Sequence, residues 1–278
     1  MKMTAKEFMD WPNKAITLLG MSGVGKTTLA YKLPSSKWFH YSGDYRIGTK
    51  YLVEPILDNI KKQAMQVGFL RELLLSDSIY IASNITVHNL APVASFLGMV
   101  GREDLGGLPV EEFLHRQRLH RDAEIGAMHD VVQFIEKAEQ IYGYQHFIND
   151  AGGSICELDD EETTNILAEQ TLILYLKPDD AMEQTLIKRA YNAPKPMYYQ
   201  EDFLKRELSE FCGTKGLAGP EQIVPDDFAR WAFPHLIEHR RPAYEALADA
   251  HGYTIDARDA EGITSENDFL ELVASVLD

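Results

Sequence analysis

Residues 20–27 read Gly20-Met21-Ser22-Gly23-Val24-Gly25-Lys26-Thr27. A G-x-x-x-x-G-K-[ST] run of this kind constrains the chain more tightly than any other feature in it, because it works only between a buried strand and the start of a helix. Both flanks are present. Ala15 to Leu19 is a short apolar run suited to a buried strand, and Thr28-Leu29-Ala30-Tyr31-Lys32-Leu33 suits the first turns of a helix. The glycines let successive amides point inward, and the helix N-terminus adds partial positive charge. Lys26 then reaches the β- and γ-phosphates, and the Thr27 hydroxyl can ligate Mg²⁺. The chain is expected to bind a nucleoside triphosphate through residues 20–28, with ATP and Mg²⁺ as its cofactors.

Other short apolar runs alternate with longer helical patterns. Strands are predicted at Trp38-Phe39-His40-Tyr41, at Ser78-Ile79-Tyr80-Ile81 (the weakest), at His146-Phe147-Ile148, over Thr171–Leu176 and over Tyr253–Asp256. Phe113, Leu114, Gln117, Ile125, Met128, Val131, Val132 and Ile135 recur at helical spacing and mark a helix or helix pair over about 109–142. The segments 228–250 and 268–277 read as helices too. Strands alternating with helices imply a parallel sheet covered on both faces, a three-layer α/β/α arrangement. The interval from 45 to 145 is long for one crossover. It is expected to hold a helical insertion, about 50–140, on the substrate side. A second flap is expected over about 178–225. The whole of 1–278 is read as one domain.

Four constellations carry chemistry. Asp150-Ala151-Gly152-Gly153 follows an apolar strand, and in parallel sheets ligands sit at the carboxyl ends of strands. A carboxylate there can hold Mg²⁺, directly or through water, and the glycines allow a substrate close to backbone. The bland alternative is a turn with Asp150 as a cap. Gly43-Asp44-Tyr45-Arg46 follows the second strand. Its carboxylate could accept the proton of an attacking hydroxyl and Arg46 could grip an anionic group, although an exposed ion pair would look the same. Lys188-Arg189, then Lys195-Pro196, could close over the moving phosphate, or simply form a charged helix end. In His239-Arg240-Arg241-Pro242-Ala243-Tyr244 the proline fits a first helical turn, which would place the arginines just ahead of a helix.

Charge and composition narrow the partners. The formal net charge of −16 opposes nucleic-acid phosphate and anionic lipid, so neither is an expected partner. With 45% hydrophobic residues the chain can bury a proper core. Cys156 and Cys212 lack metal-ligand spacing and point to a reducing compartment. Met1 to Pro12 has no apolar centre of the signal-peptide kind, and no run approaches a membrane span. A cytoplasmic protein, monomeric or homodimeric, is expected. His115, His120 and His129 do not align on one helix face, and no H-E-x-x-H run exists, so zinc is not expected.

In order, these motifs resemble P-loop small-molecule kinases of the shikimate and gluconate kinase type. The chain also looks, over nearly its whole length, like a group of bacterial proteins described only as ATPases. The kinase resemblance rests on the loop 20–28, the strand end at Asp44, the Gly152-Gly153 turn, Arg189 with Lys195-Pro196, and Arg240-x-Pro242-x-Tyr244. It implies that Asp44 contacts the hydroxyl to be phosphorylated and that Gly152 and Gly153 line the acceptor pocket. Arg189 would pack near adenine, Lys195 would approach the phosphates, and Arg240 would hold an acceptor carboxylate. The chain departs from that pattern in several places. Ser42-Gly43-Asp44 stands where the family has Asp-x-Asp, two glycines stand where three are usual, and the lid cation is Lys195 rather than arginine.

The leading expectation is a P-loop NTPase fold with a helical insertion between the second strand and a Walker B-like strand. Its activity would be ATP- and Mg²⁺-dependent phosphoryl transfer to a hydroxyl of a small molecule, an acid among the candidates. Lys26, Asp44, Asp150 and Lys195 are the expected catalytic groups, Thr27 and Asp150 the Mg²⁺ ligands, and Asp44, Arg46, Gly152, Gly153 and Arg240 the acceptor contacts. Residues 20–28 and Arg189 would bind the nucleotide. The rival reading is an ATPase that works as a conformational switch for a protein partner, with 45–145 as the partner surface.

Overall fold

The computed structural model describes residues 1–277. Five strands, β1 (Ala15–Leu19), β2 (Trp38–Ser42), β3 (His146–Asp150), β4 (Leu172–Lys177) and β5 (Gly252–Asp256), form one parallel sheet in the order β2-β3-β1-β4-β5. The register pairs Leu18 and Ser42 with Asp150, so the carboxyl ends of β1, β2 and β3 finish level with one another. Every residue of β1 and β3 is buried, so neither strand alternates apolar with exposed polar positions; the polar members Thr17, His146, Asn149 and Asp150 are buried as well.

Successive residues point to opposite faces and into two cores. Ile16, Leu18, Ile148, Leu172, Leu174 and Ile255 pack on one side. That side is covered by α1 (Ala5–Asp10), by α2 (Lys26–Lys32) directly after the phosphate loop, and by α12 (Ala257–Gly262) and α13 (Glu266–Ser275). Leu19, Tyr41, Phe147, Ile173 and Tyr175 pack on the other. A three-layer α/β/α arrangement results.

Between β2 and β3 the chain runs through α3 (Gly43–Arg46), a π-helical stretch Ile47–Tyr51, α4 (Val53–Ala64), α5 (Gly68–Leu75), α6 (Ala91–Leu97) and α7 (Val110–Gln140). The helix or helix pair predicted over 109–142 is therefore a single helix of 31 residues. Beyond β3 come α8 (Glu161–Gln170), α9 (Asp180–Asn192), α10 (Glu201–Lys215) and α11 (Pro225–His251). Asp160 and Asp179 cap the first turns of α8 and α9 by accepting from Thr163 and Met182 amides.

Two local expectations are corrected. Ser78–Ile81 is not a strand but irregular chain, and Tyr80 is 88% exposed. A four-residue run far from the sheet finds no neighbour to share its backbone hydrogen bonds. Pro242 does not open a helix either: it lies with Pro234 inside α11. The burial of Phe233, Leu236, Ile237 and Tyr244 along that helix outweighs the amide donors the two prolines remove.

Candidate functional site

The loop closes over the end of β1 with Gly25 in the left-handed region, φ 107°, as the N-cap of α2. An L side chain there would be strained, and the bare backbone leaves its amide free to face the cradle. Met21 and Val24 send their side chains into the core, so they meet a ligand only through backbone. Lys26 is 7% exposed and donates to the carbonyls of Gly20 at 2.7 Å and Met21 at 3.4 Å. Burial pushes its ammonium below the ordinary lysine value, while Asp150, Asp44 and Glu124 pull the other way.

Asp150 ends β3 beside the loop, and the Thr27 hydroxyl donates to its Oδ2 at 2.5 Å. Two hard oxygens are thus joined where a cation could sit. Among the described residues no group of three or more His, Cys, Asp or Glu side chains could cage a metal. The pair suits Mg²⁺, which keeps several waters and takes further ligands from phosphate. Ser22, Gly23, Gly25, Lys26, Thr27, Thr28, Asp44, Asp150, Ala151 and Gly153 line a cavity of about 170 Å³.

Asp44 faces Lys26 and Asp150 across this cradle. The residue is exposed, but its carboxyl is turned in among the loop and β3, and that burial raises it above the usual carboxylate value, with Asp150 adding to the rise and Lys26 opposing it. A second cavity of about 490 Å³ shares Ser22 and Gly23 with the cradle. Leu186, Arg189, Lys195, Met197 and Phe233 line it, which places the two lid cations of the sequence reading around one apolar slot next to the loop.

The two remaining predicted cations, Arg46 and Arg240, are both paired within the chain. Arg46 donates to Asp130 Oδ2 at 2.7 Å and lies over the Phe134 ring at 4.9 Å. Lys50 and Tyr51 also donate to Asp130. Burial works against that carboxylate, but these bonds hold it below its ordinary value. Arg46 therefore spends its charge inside the chain. Arg240 is 1% exposed and donates to the Gly153 carbonyl at 2.6 Å, to the Tyr198 carbonyl at 2.9 Å and to Glu157. Burial would lower its guanidinium, but the adjoining Glu157 carboxylate keeps it above the ordinary value. Tyr244 donates to the same Gly153 carbonyl at 2.9 Å.

The glycine turn has two faces. A Cβ on Gly153 would come to 3.1 Å from the Ser22 amide, so this face presses on the phosphate loop. A Cβ on Gly152 would stand 2.2 Å from Glu124 Oε1 and 3.6 Å from Asp44 Oδ1, so this face looks onto two carboxylates.

Glu124 was not singled out from the sequence. It sits on α7, fully buried, and accepts from the Ser154 hydroxyl. Burial pushes its carboxyl up to about 7, with Asp44 adding to the rise. His120, one turn earlier, is pushed down to about 4 by burial and by Arg240. A signal for both existed. Gln117, His120 and Glu124 share the stripe of Phe113, Ala127, Met128 and Val131, and a charged residue on an apolar helical stripe is the exception worth following.

No protein-family model matches the chain, and no curated protein matches it. Among solved structures it is similar to the shikimate kinase from Acinetobacter baumannii in complex with shikimate. The two are 16% identical over 98% of this chain and 97% of that one, with a TM-score of 0.41. It is also similar to the shikimate kinase from Bacteroides thetaiotaomicron, 17% identical over 88% of each chain, with a TM-score of 0.37. The likeness reaches no further than the course of the chain.

Proposed function

We propose that the chain is an ATP- and Mg²⁺-dependent phosphotransferase acting on a hydroxyl of a small molecule. The observation that carries this reading is the cradle itself. The Thr27 hydroxyl is bonded to Asp150, Lys26 lies alongside, and the Asp44 carboxylate stands across the same cavity of about 170 Å³. The carboxylate of Asp44, opposite the phosphate loop, can accept a proton from an incoming hydroxyl.

The loop amides and Lys26 hold the β- and γ-phosphates, and the ammonium leaves the Gly20 carbonyl for phosphate oxygen. Thr27 and Asp150 would hold Mg²⁺, which neutralises charge on the phosphate oxygens when bound. Asp44 accepts the acceptor's proton as its oxygen bonds to the γ-phosphorus and the bond to the ADP oxygen breaks. Arg189 and Lys195 flank the slot assigned to the base and sugar, with Lys195 on the irregular segment that can close on the phosphates.

The test is ³¹P NMR of ATP and Mg²⁺ incubated with the protein and a small-metabolite extract. A new phosphomonoester resonance is expected, and Asp44→Asn should slow its appearance by about 10²–10⁴-fold. Inorganic phosphate as the sole product, formed at the same rate with and without extract, would replace this reading by the ATPase one.

A further inference from the structure

One buried side-chain nitrogen without a hydrogen-bond partner stands behind the cradle: His40 Nε2. Folded proteins pair nearly all such atoms, so an orphan beside a candidate cation ligand needs a reason. His40 lies on β2 two residues before Ser42, which the register sets opposite Asp150. Side chains two apart share one face of a strand, so His40 and Asp150 leave the sheet on the same side. That side is covered by α2, whose Tyr31 meets the His40 ring edge-on with centroids 4.9 Å apart. One carboxylate stands near the orphan nitrogen: Asp150 Oδ2, at 3.6 Å.

The two oxygens of a carboxylate offer about four acceptor positions between them. Asp150 Oδ2 accepts from the Thr27 hydroxyl at 2.5 Å. A hydroxyl can ligate a cation through its oxygen while its proton stays on the carboxylate, so that bond is compatible with Mg²⁺ at Thr27. At 3.6 Å the imidazole is about 0.6 Å beyond an ordinary N–H···O hydrogen bond, a gap that a small turn of the ring or the carboxylate closes. With Thr27 on one side of Oδ2 and an Nε2–H on the other, Oδ1 is the oxygen left for the cation or its water. A ligand already fixed by its neighbours needs no reordering when the metal arrives.

The imidazole is braced from its far side. Tyr31 is 48% exposed, yet its ring is clamped between His40 and His88, which stacks on it with centroids 5.1 Å apart and planes at 23°. His88 belongs to the turn Thr86–Asn89 between α5 and α6, so the insertion reaches back to the strand that carries His40. Packing alone would be served by an apolar side chain at this position, with no buried nitrogen to satisfy.

We infer that His40 is a positioning residue: it donates from Nε2 to Asp150 Oδ2 and so sets the carboxylate that, with Thr27, takes the Mg²⁺ of a bound nucleotide. This assignment rests on the proposed Mg²⁺ site at Thr27 and Asp150. The test is titration calorimetry of the full chain with the β,γ-imido analogue of ATP, once with Mg²⁺ and once with EDTA. The proteins compared are the unaltered chain, His40→Leu and His40→Gln. Leucine fills the space without a donor, and glutamine brings an amide N–H to the place of Nε2.

His40→Leu should weaken binding about ten-fold or more with Mg²⁺ and leave the EDTA titration unchanged, and His40→Gln should restore most of that loss. Equal affinity of His40→Leu and the unaltered chain with Mg²⁺ overturns the assignment. A loss of the same size with and without Mg²⁺ overturns it too, as does a glutamine variant as weak as the leucine one, because each marks a packing role. Should the variants fail to fold, ring ¹H–¹⁵N spectra of the unaltered chain decide. A proton on His40 Nε2 that shifts when Mg²⁺ joins the nucleotide complex supports the assignment, and a bare or indifferent Nε2 overturns it. Absence of nucleotide binding by the unaltered chain defeats the phosphotransferase reading and this assignment together, whereas Mg²⁺-dependent binding that ignores His40 defeats this assignment alone.

Discussion

The two faces of the Gly152-Gly153 turn are built on opposite principles. The Gly153 face abuts the loop after β1, a cradle of consecutive backbone amides, one lysine and a hydroxyl–carboxylate pair, with Lys26 bonded to the Gly20 carbonyl and Thr27 to Asp150. The Gly152 face abuts two carboxylates brought from different helices, Glu124 on α7 and Asp44 on α3. The first is built from consecutive residues, the second from side chains about 80 positions apart in the chain that only folding brings together.

That contrast can be broken at three points. The largest effect belongs to Lys26→Ala. Removing the one charged donor of a preorganised cradle should lower phosphoryl transfer by about 10³-fold, equivalent to about 4 kcal/mol. The fold should survive, because a buried cation already pushed below its ordinary value is lost. Rate measurements together with thermal unfolding would show both.

Glu124 comes next. Its carboxyl ordinarily ionises near 4.5 but in the fold only near 7. The folded chain keeps a proton the unfolded chain releases, so this contribution is full below 4.5 and is lost as pH rises through about 7. The full swing is about 3 kcal/mol. His120 runs the other way: its contribution is full above 6.5 and is lost as pH falls through about 4. Denaturant unfolding of the unaltered chain and Glu124→Gln across this range should show the variant gaining relative stability as pH rises. A constant difference would mean that Glu124 ionises at the same pH in the folded and unfolded chain.

The smallest effect is steric. Gly152→Ala sets a methyl against Glu124 Oε1 and should cost about 1–3 kcal/mol in denaturant unfolding. Gly153→Ala should cost less, since its nearest atom, the Ser22 amide, lies at 3.1 Å rather than 2.2 Å. Equal costs would remove the distinction between the two faces.

Legibility followed the same division. The phosphate loop, β1 and the start of α2 could be read because motif, strand and helix are contiguous, and each rests on interactions a few residues long. β4 was equally plain, being apolar over all its buried residues, and β2 and β3 showed through their apolar cores Trp38-Phe39 and Phe147-Ile148 despite the polar residues beside them. Ser78–Ile81 had the composition of a strand, but pairing needs a neighbour, and sequence does not say whether one is near. Arg46 and Arg240 had the right residue type for gripping an acid. Their partners Asp130 and Glu157 lie 84 and 83 positions away, so nothing local disclosed that each charge was already answered.

By itself the sequence determined the loop between β1 and α2, because its glycines, its lysine and the start of the helix are all encoded within nine residues. Only the tertiary structure decided what faces that loop. The packing of α7 and α11 against the sheet turns Glu124 and Arg240 toward one glycine turn. Burial raises the Glu124 carboxyl while Glu157 keeps Arg240 charged, and such effects depend on distances between residues rather than on their order.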